Sequence, residues 1–335
     1  MDMRAWQRGQ IAAAKKKAIP VLTFPSVQLL GITVRQLISD ADTQAEGMAR
    51  ISERCDTAAA LSMMDLSVEA EAFGSEIRVG DHEVPTVVGH IVGEMEDAEK
   101  LAVPSVGAGR TGLYLDAIVK AKKRITDRPV LAGVIGPFSL AARLMGVSEA
   151  MMNCYEEPEM VEAVMEKSTE FAIAYAKAYR EAGADGMVMA EPASGLLSPS
   201  LMEEFSTPYV RRVIESVQDD SFAVIFHNCG GSVVKAPDQI ASLGAMGYHF
   251  GNSIRLRDML AAMPGDVMIC GNVDPAGTFC NGTPEKMRED TLAVLNDCCE
   301  FSNFIPSSGC DIPPTSPWEN IDEFFRTVGE FYQEK

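Results

Sequence analysis

A single (β/α)8 TIM barrel with a β-hairpin inserted after its second strand is the fold this sequence predicts, and three observations carry that expectation. Short apolar runs bounded by polar, Gly or Pro residues recur eight times along the 335 residues and read as strands. Longer segments with helical spacing separate them, so the chain alternates as βα units, and eight such units is the barrel number. No repeat, low-complexity tract or Pro/Ser-rich linker divides the sequence. Residues 1–335 are therefore read as one domain, although the length at ~150 residues per domain would suggest two.

Taken in order, the N-terminal segment (about 1–18) is basic from Arg4 to Lys17 and reads as a helix with its charges solvated. Strands are expected at Pro20–Phe24, Ala58–Met64, Pro129–Ile135, Gly186–Ala190, Ala223–His227, Gly247–Phe250, Val267–Cys270 and Asn303–Pro306. The stretch of about 72–92 breaks the alternation, because Glu76 to Val79 and Val84 to Val88 alternate around Gly80-Asp81 as a hairpin would. It is expected to form a flap near the barrel mouth. Helical segments are expected at Glu159–Ala182, Ser200–Val217, Val233–Leu243, Leu256–Met263, Pro284–Asn296 and Trp318–Tyr332. Ser200 with Glu203 reads as a capping box, and Thr283-Pro284 supplies an N-cap followed by proline at the first helical position.

Composition narrows the function. The 29 basic and 48 acidic residues give a net charge of −19, and no stretch concentrates Lys and Arg enough to offset it, so nucleic acid is excluded as a partner. At 47% hydrophobic and 23% charged residues the chain has an ordinary globular balance. No apolar run approaches the ~18 residues a membrane helix needs, and the N-terminus lacks the apolar core of a secretory signal, so a cytoplasmic location is expected. Eight cysteines without regular spacing do not form a disulfide framework and stand as core thiols, reactive thiols or metal ligands.

The sharpest cluster is Phe226-His227-Asn228-Cys229-Gly230-Gly231, at a strand end. Catalytic residues of barrels sit at the C-terminal ends of strands and in the loops that follow. His227 and Cys229 are two apart, so along an extended backbone both project to one side and can share an ion, with Gly230 and Gly231 allowing a sharp turn beneath it. A third ligand must come from elsewhere, and Cys310, after the last strand in Ser308-Gly309-Cys310-Asp311, is the best candidate. One imidazole and two thiolates suit zinc and leave a fourth position open. Against this stands the ordinary reading of a strand-end cysteine as a small buried hydrophobe.

Other strand-end residues are weaker candidates. Glu191 could complete the metal site, hydrogen-bond His227 or handle a proton, and its alternative is a helix or turn cap. Asp274 is a second candidate catalytic carboxylate, although Asp before Pro275 is also a natural turn former. Asn252 is the candidate for cofactor contact. His249 reads as a packed residue on the face opposite Tyr248 and Phe250; His82 and His90 read as exposed, and Cys55, Cys154, Cys270, Cys280, Cys298 and Cys299 as packing or surface thiols. No phosphate-binding loop, dinucleotide fingerprint or nucleophile elbow occurs.

Several phrases together resemble the uroporphyrinogen decarboxylase superfamily. They are Asp65-Leu66-Ser67-Val68-Glu69-Ala70-Glu71-Ala72-Phe73-Gly74, Gly133-Val134-Ile135-Gly136-Pro137-Phe138, Glu191-Pro192, Ser198-Pro199, Thr207-Pro208-Tyr209, His227-Asn228-Cys229-Gly230, Gly271-Asn272-Val273-Asp274-Pro275 and Ser308-Gly309-Cys310-Asp311-Ile312-Pro313. The His-x-Cys pair with a distant Cys resembles its zinc-dependent corrinoid methyltransferase branch. That resemblance implies zinc on His227, Cys229 and Cys310, a thiol at the fourth position, and a methylcobamide delivered by a small corrinoid carrier protein as methyl donor. Coenzyme M is the acceptor of the best-known relatives, and other relatives move a methyl group from a small donor onto the corrinoid. The decarboxylase branch, an alternative, binds its polycarboxylate with an Arg-rich segment after the first strand; the matching Phe24 to Gly31 here contains no arginine. A non-catalytic subunit that binds a corrinoid or its carrier is the remaining alternative.

Overall fold

The computed structural model describes residues 1–333. Seven parallel strands form one curled sheet in chain order: β1 (Ala60–Leu61), β4 (Val130–Ile135), β5 (Gly186–Ala190), β6 (Ala223–Asn228), β7 (Gly247–Phe250), β8 (Met268–Val273) and β9 (Phe304–Ser308). A separate antiparallel pair, β2 (Glu76–Arg78) and β3 (Thr86–Val88), lies between β1 and β4 in sequence, with Glu76 opposite Val88 and Arg78 opposite Thr86. The β2–β3 turn is tied back by Arg35, which reaches Asp81 and the Val79 carbonyl.

Among the described residues the parallel sheet has seven strands where eight are expected. The expected first strand, Pro20–Phe24, is not one, yet the segment before it touches both edges of the sheet: Ala58 donates its N–H to the Ala18 carbonyl (3.0 Å) and Ile19 donates to Pro306 (2.9 Å). Pro20 has no N–H to continue a ladder. The next N–H, of Val21, is taken by the Ser308 hydroxyl at 3.0 Å, and the Thr23 hydroxyl donates to the Leu61 carbonyl at 2.9 Å. Side chains thus replace the backbone ladder, and for the same reason β1 shrinks to two residues of the expected Ala58–Met64.

Alternation along the strands divides the core in two. In β6, Ala223 and Ile225 join Val21, Leu131, Val188, Met268 and Ile305 in an inner cluster, whereas Val224 and Phe226 join the larger cluster between sheet and helices. His227 continues the inner series, and in β7 His249 follows Gly247 inward while Tyr248 and Phe250 pack outside. The first helix, Met3–Ala12, closes the opposite end: Gln7 Nε2 donates to the Met246 and Asp266 carbonyls, and Trp6 Nε1 to that of Ala58. It is shorter than the basic segment, and Lys16 is not simply solvated, since its ammonium donates to the carbonyls of Gln10, Ile11 and Ser302.

Prolines also divide two expected helices. Ser200–Val217 is two helices, Pro199–Phe205 and Thr207–Val217, separated at Ser206 two residues before Pro208. The N-cap of the first is Ser198, whose hydroxyl accepts from Leu201 N, rather than Ser200. Val233–Leu243 becomes a 3-10 turn, Val233–Lys235, and a short helix, Pro237–Ala241, because the residue before Pro237 is driven out of helical geometry. The expected cap Thr283 is found with Pro284 at the first helical position. Among the described residues no helix is long and apolar enough to cross a membrane.

Candidate metal centre

His227 ends the inward series of β6, Cys229 lies one residue beyond that strand, and Cys310 lies two residues beyond β9. Their ligand atoms, one from each residue, all fall within 4.8 Å of one another. Cys310 Sγ is 3.5 Å from His227 Nε2. Ligand atoms held at about 2.3 Å (S) and about 2.0 Å (N) from one tetrahedral zinc stand about 3.6 Å apart, so the spacing fits a shared ion. Contact with Cys310, and the His227 ring beside it, pull the Cys229 thiol well below its ordinary range; that same contact, together with burial, pushes Cys310 up.

The free nitrogen of His227 is fixed by a chain of hydrogen bonds. His227 Nδ1 lies 2.7 Å from His249 Nδ1, His249 Nε2 lies 2.7 Å from Ser307 Oγ, and Ser307 Oγ donates to the Ile19 carbonyl at 2.7 Å. A carbonyl can only accept, so the protons are assigned from that end. Ser307 gives its proton to Ile19 and accepts from His249 Nε2–H; His249 Nδ1 then accepts from His227 Nδ1–H, leaving His227 Nε2 with a bare lone pair facing Cys310. Burial holds His249 well below the ordinary histidine range, so it stays neutral as this relay requires. His249 is packed, and its partner is the ring of the candidate ligand His227, a role invisible without the β6–β7 register that sets the two side by side.

Close backbone approach also shapes the ligand loop. The chain turns at residues 231–232, as expected, but neither Gly230 nor Gly231 has positive φ, so the turn needs no left-handed glycine. Gly230 is needed for proximity: a Cβ there would lie 2.5 Å from Gly195 Cα. Asn228, buried and missed at the sequence level, joins the two loops, donating to the Glu191 carbonyl (2.7 Å) and Ser194 Oγ (3.0 Å) while accepting from Gly230 N (2.8 Å).

The remaining candidates sit elsewhere. The buried Glu191 carboxylate accepts from Phe138 N (2.8 Å) and Ser139 N (3.2 Å), at the start of the helix Pro137–Met145, so His227 takes His249 and not Glu191 as its Nδ1 partner. Asp274 accepts from Ala276 N and Gly277 N at 2.9 Å each, closing the turn after β8. Asn252 is exposed at the rim and packs over Gly309, beside Cys310; with Asp274 and Arg255 it lines a groove of about 590 Å³. His82 and His90 are exposed; Cys55, Cys154, Cys270 and Cys298 are buried, and burial pushes the Cys55, Cys270 and Cys298 thiols up to about 12.

Glu191 yields a pH prediction. Burial, only partly offset by the two N–H donors, pushes it up to about 7, against about 4.3 in an unfolded chain. Between those values the folded protein holds more protons than the unfolded one, so this group's contribution to stability falls as pH rises, by at most about 1.4 kcal/mol per unit. Glu191→Gln should make the decline in urea midpoint from pH 4.5 to 7 shallower. Some decline should remain, because Glu69, also pushed up to about 7 by burial, is untouched. Parallel pH profiles for the two proteins would refute the assignment.

A cavity of about 240 Å³ opens beside the three candidate ligands, with His227 and Cys310 in its wall together with Val21, Met64, Leu66 and Pro192. Val84 to Val87, at and just before β3, also line it. A second cavity of about 300 Å³ adjoins Cys229 and Gly230.

The sequence matches the family described as uroporphyrinogen decarboxylase (URO-D) over residues 21–331. It is 30% identical over 292 residues to a methylcobamide:CoM methyltransferase, MtbA, of Methanosarcina acetivorans, covering 85% of this chain and 84% of that protein. It is also 26% identical over 292 residues to the uroporphyrinogen decarboxylase of Hydrogenovibrio crunogenus, covering 83% and 80%. A solved methyltransferase from Methanosarcina mazei superposes with a TM-score of 0.87 over 99% of this chain and 98% of its own, at 24% identity.

Proposed function

The chain belongs to the uroporphyrinogen decarboxylase family, and from that premise we propose that it is a zinc-dependent methyltransferase moving a methyl group between a corrinoid and a small thiol. The observation that carries this reading is the Cys310 Sγ to His227 Nε2 approach of 3.5 Å, with Cys229 beside it, in the wall of a cavity at the C-terminal strand ends. His227, Cys229 and Cys310 would hold the ion. When bound, zinc lowers the pKa of a thiol at its open position from about 8.5 and leaves the sulfur nucleophilic.

The chain's own groups do the rest. The His249–Ser307–Ile19 relay keeps His227 Nε2 unprotonated, Asn228 fixes the loop that bears Cys229, and the apolar wall of Met64, Leu66 and Pro192 keeps water from the reacting sulfur. A thiol held at that open position would be the nucleophile, and the corrinoid would supply the methyl group and keep the electron pair of the bond that carried it, so that the thiol leaves as a thioether. Glu191 acts in this scheme by holding the helix Pro137–Met145 in place, and Asn252 and Asp274 form the rim against which the corrinoid or its small carrier protein docks. Relatives named as methylcobamide:CoM methyltransferases support this reading. The arginine-free Phe24 to Gly31 segment weighs against a substrate bearing many carboxylates.

Mixing the zinc-loaded protein with methylcobalamin and a small thiol should convert the methylcobalamin spectrum to that of cob(I)alamin under anaerobic conditions. Consumption of uroporphyrinogen by metal-free protein, with no thiol methylation, would overturn the proposal.

A further inference from the structure

The loop after β7, residues 251–254, packs against the loops of both candidate cysteine ligands. Cys229 follows β6 and Cys310 follows β9, so β7 and β8 separate them in the sheet. On the Cys229 side, a Cβ on Gly251 would lie 2.6 Å from both Cα and Cβ of Cys229, and the Ser253 hydroxyl donates to the Cys229 carbonyl at 2.6 Å. On the Cys310 side, a Cβ on Gly309 would lie 2.8 Å from Asn252 N. A side chain at either glycine would force the neighbouring backbone away, so the loop is wedged between the two without slack.

One buried side chain holds this wedge. The Asn272 amide, near the end of β8, donates to the carbonyls of Gly251 (2.9 Å) and Ile254 (3.0 Å). Both partners can only accept, which fixes the orientation of the amide and commits its nitrogen to one loop. The next residue serves the other side, because Gly309 donates its N–H to the Val273 carbonyl at 2.6 Å. We propose that Asn272 is a positioning residue, which acts through the loop 251–254 to set the separation of Cys229 and Cys310. This deepens the reading of those cysteines as zinc ligands and rests on it.

Metal chemistry makes that separation matter. Two sulfurs bound at about 2.3 Å to one tetrahedral zinc stand about 3.8 Å apart. Carried on separate loops with two strands between them, thiolates of like charge drift apart unless a solid spacer holds them, and an ion that must first gather its ligands binds less tightly. The Asn272 amide reaches the loop and not the cysteines, and its side chain lines neither cavity beside them, so its influence passes through the loop.

The separation can be read in the metal-free protein with dibromobimane, which fluoresces once both of its arms have alkylated neighbouring thiols. Wild type should cross-link, and Cys310→Ala gives the blank. Asn272→Leu, which fills the space without donors, should slow cross-linking by about 10-fold, the lower end of what losing an outer hydrogen-bond partner costs a metal site. Ser253→Ala, at an exposed position whose hydroxyl bonds the Cys229 carbonyl, should slow it less. Alkylation by one-armed monobromobimane should be equal in wild type and both variants. With cobalt(II) in place of zinc, the tetrahedral ligand-field bands should weaken slightly in Ser253→Ala and more in Asn272→Leu. Unchanged cross-linking and cobalt spectra in both variants would overturn the proposal, as would a lower unfolding temperature of Asn272→Leu with its cross-linking rate unchanged. Should Asn272→Leu fail to fold, the same readouts on Ser253→Ala decide. Slowed cross-linking in a protein that takes up neither zinc nor cobalt would leave the positioning role standing and sink the zinc reading, and normal zinc uptake with unaltered cross-linking would do the reverse.

Discussion

Cys310→Ala should abolish stoichiometric zinc and lower thiol methylation by at least about 1,000-fold, the scale on which a metal-generated nucleophile outperforms an unassisted thiol. Three protein ligands are the minimum for a catalytic zinc site with one open position, and removing one leaves His227 and Cys229 to hold an ion that prefers four donors. Cys310 lies in a loop, beyond β9 and outside both apolar clusters, so the metal-free variant should unfold at nearly the wild-type temperature. Metal analysis after dialysis and thermal unfolding of the metal-free forms check both halves of the expectation. Cys270→Ala is the control: that thiol is fully buried in the inner cluster, burial pushes it up to about 12, and its loss should cost packing and no metal. Equal zinc content in wild type and Cys310→Ala would remove Cys310 from the site. Equal loss in both variants would show that the effect was one of folding.

The parts of this site that could be read from the sequence are those whose signal is local. His227 and Cys229 announce themselves through their two-residue spacing at the end of an apolar run, and Cys310 through its place after the last such run; a curled parallel sheet then brings those strand ends together. His249 and Ser307 carry no such signal. Their roles arise only when β6 to β9 are laid into one curled sheet, because a hydrogen bond between residues 22 or 58 apart in sequence depends on that arrangement. Glu191 was ambiguous for a physical reason: a carboxylate at a strand end serves equally well as an acid or as a cap for the next helix, and only the positions of Phe138 N and Ser139 N show the second use. In the fold, the missing first strand was foreseeable from Pro20, whereas the substitution of Ser308 Oγ for a backbone acceptor was not.

His249→Phe should weaken zinc binding by about 10- to 100-fold, the usual effect of deleting the group that orients a metal-bound imidazole. The phenyl ring fills much the same buried space but cannot accept the proton on His227 Nδ1, so that N–H is left unpaired and the imidazole is free to move its proton to Nε2, where it blocks the ion. Ser307→Ala acts one link further out. It deprives His249 Nε2–H of its acceptor and leaves the terminal Ile19 carbonyl unsatisfied, so His249 loses the constraint that makes its Nδ1 an acceptor; the loss of affinity should have the same sign and be smaller. His249→Gln offers a carbonyl oxygen that can still accept from His227, and partial rescue relative to phenylalanine is expected. Competition titrations against a zinc chelator rank the four proteins, and the expected order of affinity is wild type, then Ser307→Ala and His249→Gln, with His249→Phe weakest. A merely structural role for His249 predicts another pattern, in which thermal stability of the metal-free protein falls while zinc affinity holds. Because burial already keeps this ring neutral, its replacement by an apolar ring of similar size removes no charge from the core. The relay is thus tested by metal affinity, and the packing by unfolding, on the same variants.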